Sequence, residues 1–289
     1  MEDFLRLFFI GVGMGSTYGL VGLTLVTVFN ATRIINMAQG EFLMLGGILA
    51  YGLIRASDVP YGWGALLVIL AVVVVGQAVN GLIVTPLLAQ NASAIMTIIG
   101  TYAGALLISS ITGTLTGYHY VGVPPLLPMT QLKLGFWPIV PQYGLSIIVA
   151  VVLSLLYWAF LSWTPTGWAL RATGINPDMA KLLGISTARM IALAFIIAAA
   201  FGAISGIVVG PLTHVVANMG FPILVKGFVA AVVGGMGNPF AAVVGGVFIG
   251  LLQVLIAGYA TPGYAELAVF SLLILVLFVR PYGLFAVRE

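Results

Sequence analysis

Residues 30–45 read NATRIINMAQGEFLML, and residues 211–238 read PLTHVVANMGFPILVKGFVAAVVGGMGN. In the first stretch Arg33, Asn36, Gln39 and Glu41 are wedged between two apolar runs. Irregular backbone at membrane depth is tolerated only where protein or a water-filled cavity surrounds it. Gly40 offers a break, and Glu41 then falls at the start of the following helix, where the dipole favours its charge. The stretch reads either as a short surface loop with a helix-capping acid or as a broken helix lining a translocation path. The second stretch sets two prolines, Asn218 and the Gly234–Gly235–Met236–Gly237 run around an apolar core that holds Lys226. A lysine there calls for a partner or a wet cavity. Two interrupted segments fit two related halves that flank a substrate path. AAVVGG occurs at 230–235 and again at 241–246, which chance also explains in so apolar a chain.

Composition settles what surrounds these stretches. Of 289 residues, 62% are hydrophobic and 6% charged, and the mean hydropathy is +1.20. A soluble domain carries about 25% charged residues. The expected fold is therefore an all-α polytopic membrane protein, one transmembrane domain over 1–289, with eight or nine crossing or partly crossing segments. Ten basic residues against seven acidic ones bear on orientation and form no nucleic-acid patch. With no cysteine, thiolate metal sites are excluded, and His119 and His214 stand far apart in sequence, so no metal site is expected.

The N-terminal MEDFLR carries Glu2 and Asp3 rather than a basic cluster, so the apolar run to Phe29 reads as a retained span, not a signal peptide. Within it Gly11 and Gly15 have the GxxxG spacing that lets a neighbouring helix come close. Further spans are expected at 42–55, 65–85, 94–112, 142–163, 190–210, 239–257 and 264–279, with Pro86 ending the third. Gln77 and Asn80 share a face of that third span and are candidates for hydrogen bonds to another helix. Residues 113–141, rich in Gly, Pro and aromatics, read as an external cover or as an aromatic belt.

Residues 171–189, RATGINPDMAKLLGISTAR, are polar between two long apolar runs. Asn176 suits an N-cap, Pro177 the first helical position, Asp178 the positive end of the dipole and Gly184 a left-handed C-cap. The short helix so defined offers Met179, Leu182 and Leu183 as an apolar surface and needs something to lean on. It reads as a connecting loop or as a docking knob for a soluble partner. With this loop cytoplasmic, Arg33, Arg171, Lys181, Arg189, Arg280 and Arg288 lie inside and Arg6, Arg55 and Lys133 outside, which puts the C-terminus in the cytoplasm. There is no GxxxxGK[ST] phosphate loop, no HExxH and no Ser/His/Asp arrangement, and carboxylates at membrane depth are limited to Glu41 and Glu266. A pore protein driven by a separate motor accounts for this pattern.

Four passages carry a family resemblance nearly end to end. They are STYGLVGLTLV (16–26) leading to INMAQGEFLMLG (35–46), GWALRATGINPDMAKLLGI (167–185), GFPILVKGFVAAVVGGMGN (220–238) and LLILVLFVRPYGLF (272–285). With them the chain resembles the LivH-type permease subunits of branched-chain amino acid ABC importers. The resemblance implies a non-enzymatic subunit of the bacterial inner membrane. Its implied partners are a LivM-type permease, two LivG/LivF-type ATP-binding subunits and a periplasmic substrate-binding protein. It implies no cofactor in this chain, ATP and magnesium being bound by those partner subunits.

It further implies that Asn176, Pro177, Asp178, Met179, Ala180, Lys181, Leu182, Leu183 and Gly184 form the coupling helix seated in an ATPase groove. Asn36, Gln39, Gly40, Glu41, Lys226, Gly234, Gly235 and Gly237 would be pathway or gating residues, with a Glu41–Lys226 ion pair as one arrangement. Two passages depart from the family pattern. Gln39 stands where a histidine is frequent, and the turn at 85–93 lacks the usual arginines. The first leaves urea, short amides or other amino acids open as cargo. An autonomous channel or ion-coupled carrier is the competing class, and it would tolerate damage at 176–184.

Overall fold

The computed structural model describes residues 2–130, 132–134, 137–280 and 283–284. Arg288, counted above among the inner basic residues, lies outside them. Among the described residues the architecture is all-α apart from one antiparallel pair of short strands. The first helix, α1 (Glu2–Thr32), ends at an irregular stretch, and α2 (Gln39–Ala50) runs on through a π-helical turn to Ala56. Next come α3 (Tyr61–Val79), a second π-helical turn over Asn80–Val84, α4 (Thr85–Ala89) and α5 (Ala94–Thr116). Strands β1 (Leu132–Leu134) and β2 (Trp137–Ile139) pair antiparallel, Leu132 opposite Ile139. The remaining helices are α6 (Pro141–Trp163), α7 (Pro165–Ile175), α8 (Pro177–Leu182), α9 (Thr187–Thr213), α10 (Gly220–Gly234), α11 (Pro239–Tyr259) and α12 (Pro262–Val279).

Local chemistry explains the boundaries. Helices α6, α7, α8, α11 and α12 each open on a proline, whose missing N–H is an orphan at that position anyway. Asn238 caps α11 by accepting from the amides of Phe240 and Ala241 at 3.0 and 3.4 Å, and Thr164 accepts from Gly167 at 3.0 Å to start α7. Seven helices among the described residues are long and apolar enough to cross a bilayer, and Gly220–Gly234 is a shorter apolar one. With α2 this agrees with the eight or nine segments expected.

The third span differs from expectation at its end. It continues through Pro86 to Ala89. The preceding π-helical turn makes this tolerable: Thr85 N–H reaches back to Asn80 O, so the helix is already widened where the proline lacks its own donor. Gln77 meets its expectation, its Nε2 donating to Ala192 O on α9 at 2.9 Å. Asn80 is instead satisfied locally, accepting from Thr85 Oγ1 at 3.3 Å.

Two halves are evident in which elements touch. Helix α1 packs on α9, α10 and α11, and α9 packs on α1, α2 and α3. Likewise α10 packs on α11 and α12, as α2 packs on α3 and α5. The order α1–α2–α3/α4–α5 is thus repeated by α9–α10–α11–α12, with α6 to α8 between. Residues just beyond the end of α1 touch the end of α7, shortly before α9 begins, so the two long helices run in opposite senses. This is an inverted repeat.

Small residues set how closely the halves approach. On α1, a Cβ at Gly11 would fall 2.9 Å from Leu251 Cα, and one at Gly15 would fall 2.7 Å from Val247 Cα. On α11, Gly246 lies against the backbone of Gly19. The GxxxG face therefore does join a neighbouring helix. The repeated AAVVGG has its own explanation: its copies lie on α10 and α11 and pack on one another, Gly234 against Ala241 and Gly245 against Ala230. Close antiparallel packing needs small residues on both sides. Gly246→Leu, whose side chain meets unyielding backbone, is expected to destabilise the protein by about 1–3 kcal/mol or more. Gly62→Ala, which faces open space, should stay within about 0.5 kcal/mol. Thermal unfolding in detergent compares them, and equal responses would refute the tight α1–α11 seam.

Candidate translocation path and coupling helix

At the first break Arg33 takes a left-handed backbone conformation (φ 59°), which turns the chain off the end of α1. Asn36 Oδ1 then accepts from Ala38 N–H at 3.0 Å, and Met37 N–H donates to Thr101 Oγ1 of α5 at 3.2 Å. At the second break Ser109 Oγ donates to Ala217 O at 2.7 Å. Thr101 and Ser109 are eight residues apart on α5, so one helix face serves both breaks. A bridge between Val121 and Val215 adds two backbone hydrogen bonds of 2.8 and 2.9 Å from the 113–141 stretch.

The two short helices meet at their starts. A Cβ at Gly40 would overlap the carbonyl of Gly220, and one at Gly220 would overlap the Glu41 carboxylate. Only glycine at both positions lets α2 and α10 come this close. Glu41 is therefore held at the junction of two helix N-termini. It is 3% exposed, and Asn36 and Gln39 are equally buried. Gln39 Nε2 donates to Thr24 Oγ1 at 2.9 Å and to Ala198 O at 3.2 Å, so it braces α2 against α1 and α9. Asn36 Nδ2, Gln39 Oε1 and Glu41 Oε2 have no protein partner. Three buried polar atoms without partners mark a polar centre suited to water or a passing polar solute.

Lys226 is not part of that centre. Its Nζ lies over the Tyr18 ring, 5.4 Å from the centroid, in a groove between α10 and α12. Among the described residues the only ion pair is Lys181–Asp178, so the Glu41–Lys226 pair entertained from the sequence does not form. Helical geometry supplies the reason. Lys226 is six residues beyond Gly220, which rotates it by about 240° away from the face that meets Glu41. Gly234 ends α10, and Gly235 and Gly237 sit in the turn between α10 and α11, none of them beside Glu41. Gly235 there has φ 134°, and Gly237 O accepts from Asn30 Nδ2 at 3.2 Å. No group of three or more potential metal-ligating His, Cys, Asp or Glu occurs among the described residues.

The polar stretch at 171–189 holds more helix than its residues suggested. Its first five residues complete α7, which follows α6 after a break at Thr164. Asn176 then caps α8, accepting from the amides of Asp178 and Met179, both at 3.1 Å. The helix closes in a Schellman motif: Ile185 N–H reaches Ala180 O and Gly184 N–H reaches Lys181 O, both at 2.9 Å, with Gly184 at φ 81°. Ala180 is buried, whereas Met179, Leu182 and Leu183 are 55%, 82% and 78% exposed. Lys181 pairs with Asp178 at 3.2 Å, both on the exposed surface.

Two residues that sequence reasoning left without a role tie this knob to the breaks. Arg33 donates through Nη2 to the carbonyls of Gly174 and Ile175, the orphan acceptors at the end of α7. Asn30, one turn earlier, holds the α10–α11 turn through Gly237. The only signal available was a basic residue at a helix end, with no hint of its partner. Arg33→Ala is expected to loosen α7 and α8, raising amide exchange at 176–184 about five- to tenfold in hydrogen-exchange mass spectrometry. Unchanged protection would show that the clip holds nothing.

Residues 7–279 match the family described as branched-chain amino acid transport system / permease component. The chain is 30% identical to the high-affinity branched-chain amino acid transport system permease protein LivH of Escherichia coli K12, over 97% of this chain and 95% of that protein. It is 28% identical to the permease protein BraD of Pseudomonas aeruginosa, over 95% and 93%. A galactose/methyl galactoside import permease, MglC of Haemophilus influenzae, is 30% identical over 66% of this chain and 58% of its own length.

Proposed function

The chain belongs to the branched-chain amino acid permease family, and we propose that it is the membrane-spanning permease subunit of an ATP-driven importer for branched-chain or related amino acids. In this reading a second, LivM-type permease completes the path, two LivG/LivF-type subunits hydrolyse ATP and a periplasmic binding protein delivers cargo. The assembly sits in the bacterial inner membrane with α8 and the C-terminus cytoplasmic. The ends near Arg33, Gly174, Gly237 and Leu284 gather at one side, Leu284 N–H bonding Val233 O at 2.9 Å, which favours a common cytoplasmic face.

The observation that carries the proposal is α8. A six-residue helix whose Leu182 and C-cap residue Leu183 are about four-fifths exposed is too short to persist on its own and is capped at both ends. Such a preformed apolar knob on a polar loop fits a groove in a soluble motor subunit. Residues 176–184 would be the contact, with Met179, Leu182 and Leu183 inserted and Lys181 at the rim. Asn36, Gln39, Gly40 and Glu41 would line or gate the path, and motion of the knob would reach them through Arg33. Gly234, Gly235 and Gly237 would move with it through Asn30.

Reconstitution of the whole complex in proteoliposomes tests this. Leu182→Asp/Leu183→Asp is expected to abolish ATP-dependent leucine uptake and binding-protein-stimulated ATPase while both permeases stay assembled. Unchanged uptake would overturn the docking role and favour an autonomous channel or ion-coupled carrier. A wild type with intact stimulated ATPase and no leucine uptake would keep the machine and move the cargo to other amino acids, urea or short amides. Glu41→Gln should lower uptake about tenfold or more while basal ATPase persists; equal transport would remove Glu41 from the path.

A further inference from the structure

The groove between α10 and α12 holds two charges that the path described above does not use together. Its walls include Phe221, Val225, Val269 and Phe270, with Lys226 on α10 and Glu266 on α12, around a cavity of about 270 Å³. That is close to the lower end of the ~300–1,000 Å³ range of small-molecule sites. Lys226 is half-buried beside Tyr18, and Glu266 lies exposed on the outer lip, one turn into α12. Among the described residues neither enters an ion pair, so they line one cavity without neutralising each other directly.

A lone cation and a lone anion within membrane-spanning helices are costly, and such residues mark substrate paths. A solute that carries both charges completes the arrangement. Its carboxylate meets the Lys226 ammonium, its ammonium meets the Glu266 carboxylate, and its side chain lies against Phe221, Val225 and Phe270. We infer that the Lys226–Glu266 groove is a transit site for zwitterionic α-amino acids with apolar side chains. The inference rests on the amino-acid import proposed above and adds Glu266 as a residue that selects cargo. An uncharged amide or a sugar leaves both charges unmatched and is disfavoured for that reason.

The test is equilibrium binding of tritiated leucine to the assembled complex in nanodiscs, without binding protein. Wild type is expected to bind saturably, and leucinamide and isocaproate, each lacking one charge, should compete poorly. Lys226→Gln and Glu266→Gln should each weaken binding about tenfold or more, whereas Lys226→Arg should retain it. Unchanged binding in both neutral variants overturns the site. So does dissociation of the permease pair in Glu266→Gln on size exclusion, which would make the groove a subunit seam. Parallel uptake assays separate the two ideas. Leucine import with both variants unchanged sinks the clamp alone, and saturable clamp-dependent leucine binding without import of any branched-chain amino acid sinks the cargo reading alone.

Discussion

A helix that stops inside hydrocarbon leaves backbone donors and acceptors with no water to bond, and each unsatisfied group costs several kcal/mol. This protein instead starts two helices, α2 and α10, in the interior of the fold, and much of its architecture serves to enclose the two gaps before them. Helix α5 donates or accepts at both through Thr101 and Ser109. The Val121–Val215 bridge joins one to the 113–141 stretch, and Gln39 spans α1 and α9 across the other. The long helices pack through glycine because any side chain at those contacts would open the enclosure.

Once the gaps are sealed, their polar content becomes concentrated. Gly40 and Gly220 let two helix starts meet, and Glu41 occupies that point. Three polar atoms there remain without protein partners, so the junction is prepared for something polar from outside. Lys226 belongs to a separate groove on the other side of α10, with Tyr18 and Glu266. Glu41 on α2, Lys226 on α10 and Glu266 on α12 are therefore spread around α10 rather than paired across the repeat.

The same breaks reach the surface through their ends. Arg33 begins the first irregular stretch and also caps α7, so a displacement of the α8 knob acts directly on the strand of backbone that leads to Glu41. Asn30 extends that contact to the α10–α11 turn. One short segment at the end of α1 thus touches the end of α7, next to α8, and the α10–α11 turn. This gives a contiguous physical route between α8 and the junction at Glu41.

Composition and apolar run length by themselves determined that the chain is a membrane protein of eight or nine segments, because hydrocarbon admits only long apolar helices. Local capping chemistry was equally legible: Asn176, Pro177 and Gly184 specify α8 through contacts within a few residues of one another. The broken segments showed in the polar residues at 33–41 and in the prolines and Asn218 of 211–222, whereas the glycines near 234 mark the turn between α10 and α11. What the sequence could not carry was every contact set by rotation about a helix or by distance along the chain. Which face of α10 holds Lys226, the packing of AAVVGG on its own copy, the passage of a helix through Pro86 and the partners of Arg33 and Asn30 all depend on where other helices lie. Those positions follow from mutual burial of whole faces, a property of the folded set that no single stretch encodes.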